Sequence, residues 1–89
     1  MATKSIYKPE YQTLLKLLRE IRKEAKLDHG DLAALLQRRQ SYVSNIERGR
    51  RRLDLLELRE YCLHCRQDLV DFVRRFEKAV ADELGQPRP

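Results

Sequence analysis

Tryptophan is absent from this sequence, and cysteine, glycine and proline are scarce: two, three and three in 89 residues. Each shortage removes a class of protein. Cys62 and Cys65 stand too close together to staple distant parts of a fold, so a disulfide scaffold is excluded and a reduced, cytoplasmic setting is expected. No glycine-rich loop is present to cradle a phosphate, and no catalytic constellation stands out, so neither enzyme activity nor a cofactor is expected. The few aromatic side chains do not make the stacking surface common in single-strand binders. No apolar run approaches the ~18 residues that cross a bilayer, and Lys4 and Lys8 lead into no export-signal core. Sustained two-residue alternation and Asn-Gly hairpin turns are also missing, which leaves no signal for a sheet.

What the chain does have is charge in one place. Between positions 37 and 52 lie Arg38, Arg39, Arg48, Arg50, Arg51 and Arg52 against a single acid, Glu47. That window carries the whole net charge of +5, because the acids and bases elsewhere cancel. A scattered excess would be an ordinary solvated face. An excess focused on one segment is the footprint of a polyanion binder, although charge alone does not separate DNA from RNA or an acidic protein surface.

Helical spacing accounts for nearly all the apolar residues. Residues 10–26 carry Tyr11, Leu14, Leu15, Leu18, Ile21 and Ala25 at three-and-four intervals after Pro9, which predicts a first helix. Asp28 with Asp31 is a helix-start pattern, followed by Leu32, Ala33, Leu35 and Leu36. Gln37, Arg38 and Arg39 form a turn, and residues 40–48 make a third helix with Val43 and Ile46 inward and Gly49 ending it. Asp54 with Glu57 starts a fourth, carrying Leu55, Leu58, Tyr61, Cys62 and Cys65. Asp68 with Asp71 starts a fifth, which reaches Leu84 with the stripe Leu69, Phe72, Val73, Phe76 and Val80. The predicted class is all-α with five helices: an arm over 1–9, one domain over 10–84 with an extended last helix, and a frayed tail over 85–89. That stripe is expected mainly in the core, with Phe72, Phe76 and Val80 also offered to a second subunit.

Two short helices joined by a three-residue turn let the second lie in a major groove. On the outer face of that second helix stand Gln40, Ser41, Ser44 and Asn45, short groups able to donate and accept at base edges. An ordinary surface helix would more often carry Glu and Lys there. The stretch 27–49, above all Gln40-Ser-Tyr-Val-Ser-Asn-Ile-Glu-Arg-Gly49, resembles the Xre-type family related to phage Cro and repressor proteins. The resemblance spans roughly 21–73, and Arg51-Arg52-Leu53-Asp54 continues it as in a subgroup of small bacterial regulators.

The resemblance implies a lambda-repressor-like domain and a duplex-DNA-binding regulator, a repressor or else an activator, that sits as a homodimer on a pseudo-palindromic operator. It places Gln40, Ser41, Ser44 and Asn45 against bases. Arg48, Arg50, Arg51 and Arg52 fall on the stretch that contacts phosphate, and Arg22 with Glu47 on a salt bridge between the first and third helices. His29 stands where the family often has a phosphate-contacting glutamine. The turn Gln37-Arg38-Arg39 replaces the usual Gly, apolar and small capping residues, so Arg38 and Arg39 are read as added phosphate contacts and the third helix as less well capped. Cys62-Leu-His-Cys65 has a metal-like or redox-like spacing, but a zinc site wants about four ligands and no second cysteine pair exists. Core packing is the stronger reading for both thiols, and no metal is expected. The rival function is a protein-interaction module, an antitoxin or adaptor, that uses the last helix and residues 7–11 as its binding surfaces.

Overall fold

A computed structural model describes residues 8–86. The expected arm over 1–9 and the tail over 85–89 therefore lie largely outside the described residues. Five helices follow one another: α1 Pro9–Glu24, α2 His29–Leu36, α3 Gln40–Glu47, α4 Leu55–His64 and α5 Leu69–Leu84. No strand occurs among the described residues.

The helix starts are where the capping residues place them. Asp28 Oδ1 accepts the Asp31 amide at 2.7 Å while Asp31 Oδ2 accepts the Asp28 amide at 3.0 Å, and Asp54 with Glu57 repeats the reciprocal pair at 2.7 and 3.0 Å. Each pair satisfies two amides that would otherwise face the helix end unpaired. Asp68 caps α5 through the Asp71 amide. Pro9 opens α1 from inside the expected arm, its fixed φ suiting the first helical position.

Four helix ends close in one way. The amide that follows a left-handed residue returns to a carbonyl five positions back, as in Leu27 to Arg22, Arg38 to Ala33, Arg50 to Asn45 and Gln67 to Cys62. This closure needs a left-handed residue, supplied by Lys26, Gln37, Gly49 and Arg66 at φ of 60, 57, 75 and 60°. Of these four, only α3 uses glycine. A Cβ at Gly49 would stand 3.0 Å from Leu15 Cδ1, so a side chain at the buried ending of α3 would have to push Leu15 aside, a strain that the three exposed left-handed residues do not meet. Lys26 thus stops α1 earlier than the predicted residue 26.

Leu15, Leu18, Ile21, Leu32, Val43, Ile46, Tyr61, Cys62, Cys65 and Phe72 form the centre of the core. α1 packs on both α3 and α5, so its buried face is wider than one stripe and takes in Leu17 and Thr13. α5 lies antiparallel to α1: Arg75 reaches Glu20 and Glu24 at 3.0 and 2.7 Å, Lys16 reaches Glu83 at 3.2 Å, and Gln86 donates to Glu10 at 3.1 Å. Three expectations change here. Leu35 and Leu55, counted in the apolar sets of α2 and α4, are 47% and 69% exposed: Leu35 lies off the face that buries Leu32 and Ala33, and Leu55 is the first residue of α4. Phe72 and Val80, offered to a second subunit, are 1% and 6% exposed within the single chain, because α1 already covers that side of α5. Phe76 is half-buried against the same core. Gly85 and Gln86 are held rather than frayed, Gly85 closing α5 at φ 67°.

Candidate nucleic-acid interface

The turn between α2 and α3 sets the geometry of the site. Gln37 takes the left-handed conformation, Arg39 becomes the residue before α3, and no side chain caps that helix, as the lack of Ser or Thr before Gln40 predicts. Val43 and Ile46 are fully buried and anchor α3 on the core. The opposite face carries Gln40 and Ser41, both exposed, and Ser44 and Asn45, both half-buried. These four stand together on one side of the helix, as their spacing requires.

Within residues 37–52 the surface charge is of one sign because their single acid is hidden. Glu47 is 3% exposed and faces inward, where Arg22 donates to both carboxylate oxygens from Nε at 2.7 Å and from Nη2 at 3.1 Å. Tyr61 Oη also donates to Glu47 Oε2, and His29 Nε2 lies 3.1 Å from Oε1. Burial alone pushes the Glu47 carboxyl upward, but the hydrogen bonds from Arg22, Tyr61 and His29 together bring it below the ordinary carboxylate value. Arg22 Nη1 further donates to the Leu27 carbonyl at 2.8 Å, and Arg19 Nη1 to the Glu47 carbonyl at 3.0 Å. One carboxylate on α3 therefore ties α1, α2 and α4 together. His29, read from sequence as a phosphate contact, has Nε2 turned to this inner cluster. Tyr61 was read only as an apolar core residue; the signal that would have found its role is that a buried phenol needs an acceptor.

The arginines divide into two groups. Arg39, Arg48, Arg50 and Arg52 are exposed and make no side-chain ion pair among the described residues. Arg38 and Arg51, which come from separate loops, converge on Tyr42: their guanidinium carbons lie 4.7 and 4.9 Å from the centre of its ring. Arg51 Nη2 also donates to Glu57 Oε2 at 2.5 Å, and Tyr42 Oη donates to the same oxygen at 3.2 Å. Sequence reasoning passed over Tyr42 and saw Glu57 only as a cap. A shallow concavity lies between these groups, lined by Gln37, Arg38, Arg39, Ser41, Tyr42, Asn45 and Arg51.

Cys62 and Cys65 are free and buried, with burial raising their thiols to about 11 and about 12. Both pack in the core, and among the described residues no three His, Cys, Asp or Glu side chains gather as metal ligands. No helix among the described residues is long and apolar enough to cross a membrane.

This arrangement matches known proteins. A family described as a helix-turn-helix domain covers residues 14–75. No curated protein sequence matches the chain. Among solved structures, an Xre-family-like protein from Pseudomonas syringae pv. tomato strain DC3000 is 38% identical and superposes with a TM-score of 0.77, over 83% of this chain and 90% of that one. The five helices thus form an all-α, lambda-repressor-like domain, and the chain belongs to the Xre-type helix-turn-helix regulators.

Proposed function

We propose that this DNA-binding regulator reads a specific duplex sequence by laying α3 in the major groove and acts as a repressor by occupying its site. The observation that carries the reading is the burial of Glu47. With that carboxylate turned inward, the surface of 37–52 presents Gln40, Ser41, Ser44 and Asn45 beside six arginines and no acid. Arg38, Arg39, Arg48, Arg50, Arg51 and Arg52 dock the domain on phosphates, and Gln40, Ser41, Ser44 and Asn45 select bases. His29 is a secondary phosphate contact at most, since Nε2 faces Glu47.

The operator is pseudo-palindromic and the working species a homodimer, with half-sites about one helical turn apart, ~34–36 Å. Because Phe72 and Val80 are buried, the contact between copies falls to the exposed Val70 and Val73 of α5 and to Leu63 of α4, with half-buried Phe76 beside them. This apolar surface is also the feature that supports the second reading, an antitoxin or adaptor whose main partner is another protein. Both readings place the protein in the cytoplasm, on the nucleoid when DNA-bound.

Selection from a randomised duplex library at roughly 150 mM salt tests the proposal, because non-specific phosphate binding is already weakened there. The expected outcome is an inverted-repeat motif. Failure of the folded protein to enrich any sequence favours the second reading.

A further inference from the structure

Arg38 and Arg51 are thirteen positions apart in sequence, one in the turn before the recognition helix and one in the loop after it, yet both guanidiniums lie over the Tyr42 ring at 4.7 and 4.9 Å. We propose that Tyr42 and Glu57 are positioning residues that hold these two arginines, before any ligand arrives, as a paired clamp for a DNA phosphate at the concavity between them. The inference rests on the duplex-DNA reading of this face and adds two residues to it.

Three observations carry it. The aromatic face attracts cations, so one ring restrains two side chains that would otherwise sample many rotamers at the surface. Glu57 is itself fixed: Oε1 accepts the Asp54 amide at 3.0 Å, while Oε2 accepts from Tyr42 and Arg51. Arg51 meets Glu57 through Nη2, and its five-donor fork has further N–H groups to offer a phosphate oxygen. Without the ring, Arg38 and Arg51 would repel each other and spread. With it, two guanidiniums stand ready at one place, one of them shared with Glu57, and the cost of ordering them is met by folding rather than by binding.

The test is titration of a random-sequence DNA duplex by fluorescence anisotropy at low salt, with thermal melts to establish folding. Tyr42→Leu is expected to weaken binding about tenfold and make the salt dependence shallower, while Tyr42→Phe, which keeps the ring, retains most of it. Glu57→Gln supplies a test of opposite sign. It removes a negative charge, which by itself strengthens DNA binding, and glutamine still serves the helix cap. Glu60→Gln makes the same charge change at an exposed position of α4. If Glu57 positions Arg51, Glu57→Gln binds more weakly than Glu60→Gln. Equal or tighter binding by Glu57→Gln, or wild-type binding by a folded Tyr42→Leu, overturns the inference and leaves the DNA reading intact. A wild-type protein that does not bind the duplex at all sinks the DNA reading, and this inference with it.

Discussion

At the scale of single residues, Glu47 shows how one side chain serves fold and surface together. Its burial removes the only acid of residues 37–52 from the surface, and its bonds to Arg22, His29 and Tyr61 fix the recognition helix to the rest of the domain. Arg22→Ala strands that carboxylate, so a loss of about 3–5 kcal/mol is expected in denaturant unfolding. The pH dependence has a definite sign. The folded carboxyl titrates below its ordinary value, so its stabilisation is complete above the unfolded value of about 4.3 and is lost as pH falls through the folded one. Unfolding curves between neutral pH and about pH 3 should therefore steepen on the acid side for the wild type and flatten for Glu47→Gln. The cysteines offer an independent check of the core. With thiols raised to about 11 and about 12 and no exposed surface, Cys62 and Cys65 should react with an alkylating reagent at neutral pH only as fast as the domain opens. Prompt labelling of the folded protein would contradict their placement.

Helices and turns were the most legible part of the sequence, because capping residues act locally. Asp28, Asp54 and Asp68 each mark a helix start that the structure reproduces, and Gly49 marks the end of α3. The other ends were harder to read. Lys26 and Arg66 adopt the left-handed conformation without being glycine, so nothing in their chemistry announces a stop, whereas the break in apolar spacing at Gln37 did mark the end of α2. The apolar sets alone did not tell that Leu35 and Leu55 stand exposed, since Leu35 lies off the face that buries Leu32 and Ala33 and Leu55 opens α4. Within the candidate site, the polar face of α3 was visible as a pattern, whereas the convergence of Arg38, Tyr42, Arg51 and Glu57 depends on how two loops meet in space. The turn gives a prediction at this scale. Gln37→Gly relieves a left-handed side chain but loosens the unfolded chain, so a net gain of up to about 1 kcal/mol is expected. Gly49→Ala should do the reverse, costing at least about 1–2 kcal/mol, because the new methyl meets both an unfavourable φ and Leu15. Thermal melts of the two variants read both signs.

For the whole molecule, the pairing of α1 with α5 is the organising contact. Its ion pairs lie at the surface and are worth at most about 1 kcal/mol each, so the apolar side chains Leu17, Phe72 and Val80 do most of the holding. The same contact determines which part of α5 is left for another subunit. Sedimentation velocity should show a dimer that Val73→Asp converts to a folded monomer, whereas Phe72→Asp should unfold the chain. A wild-type monomer would remove the dimer from the proposal. There is also a consequence for the path of the chain. Gln86 touches Glu10, so the first turn of the domain and its last residues meet. A short peptide joining them would turn the domain into a ring without disturbing a helix, and a new opening could be cut at the exposed Arg66 between α4 and α5.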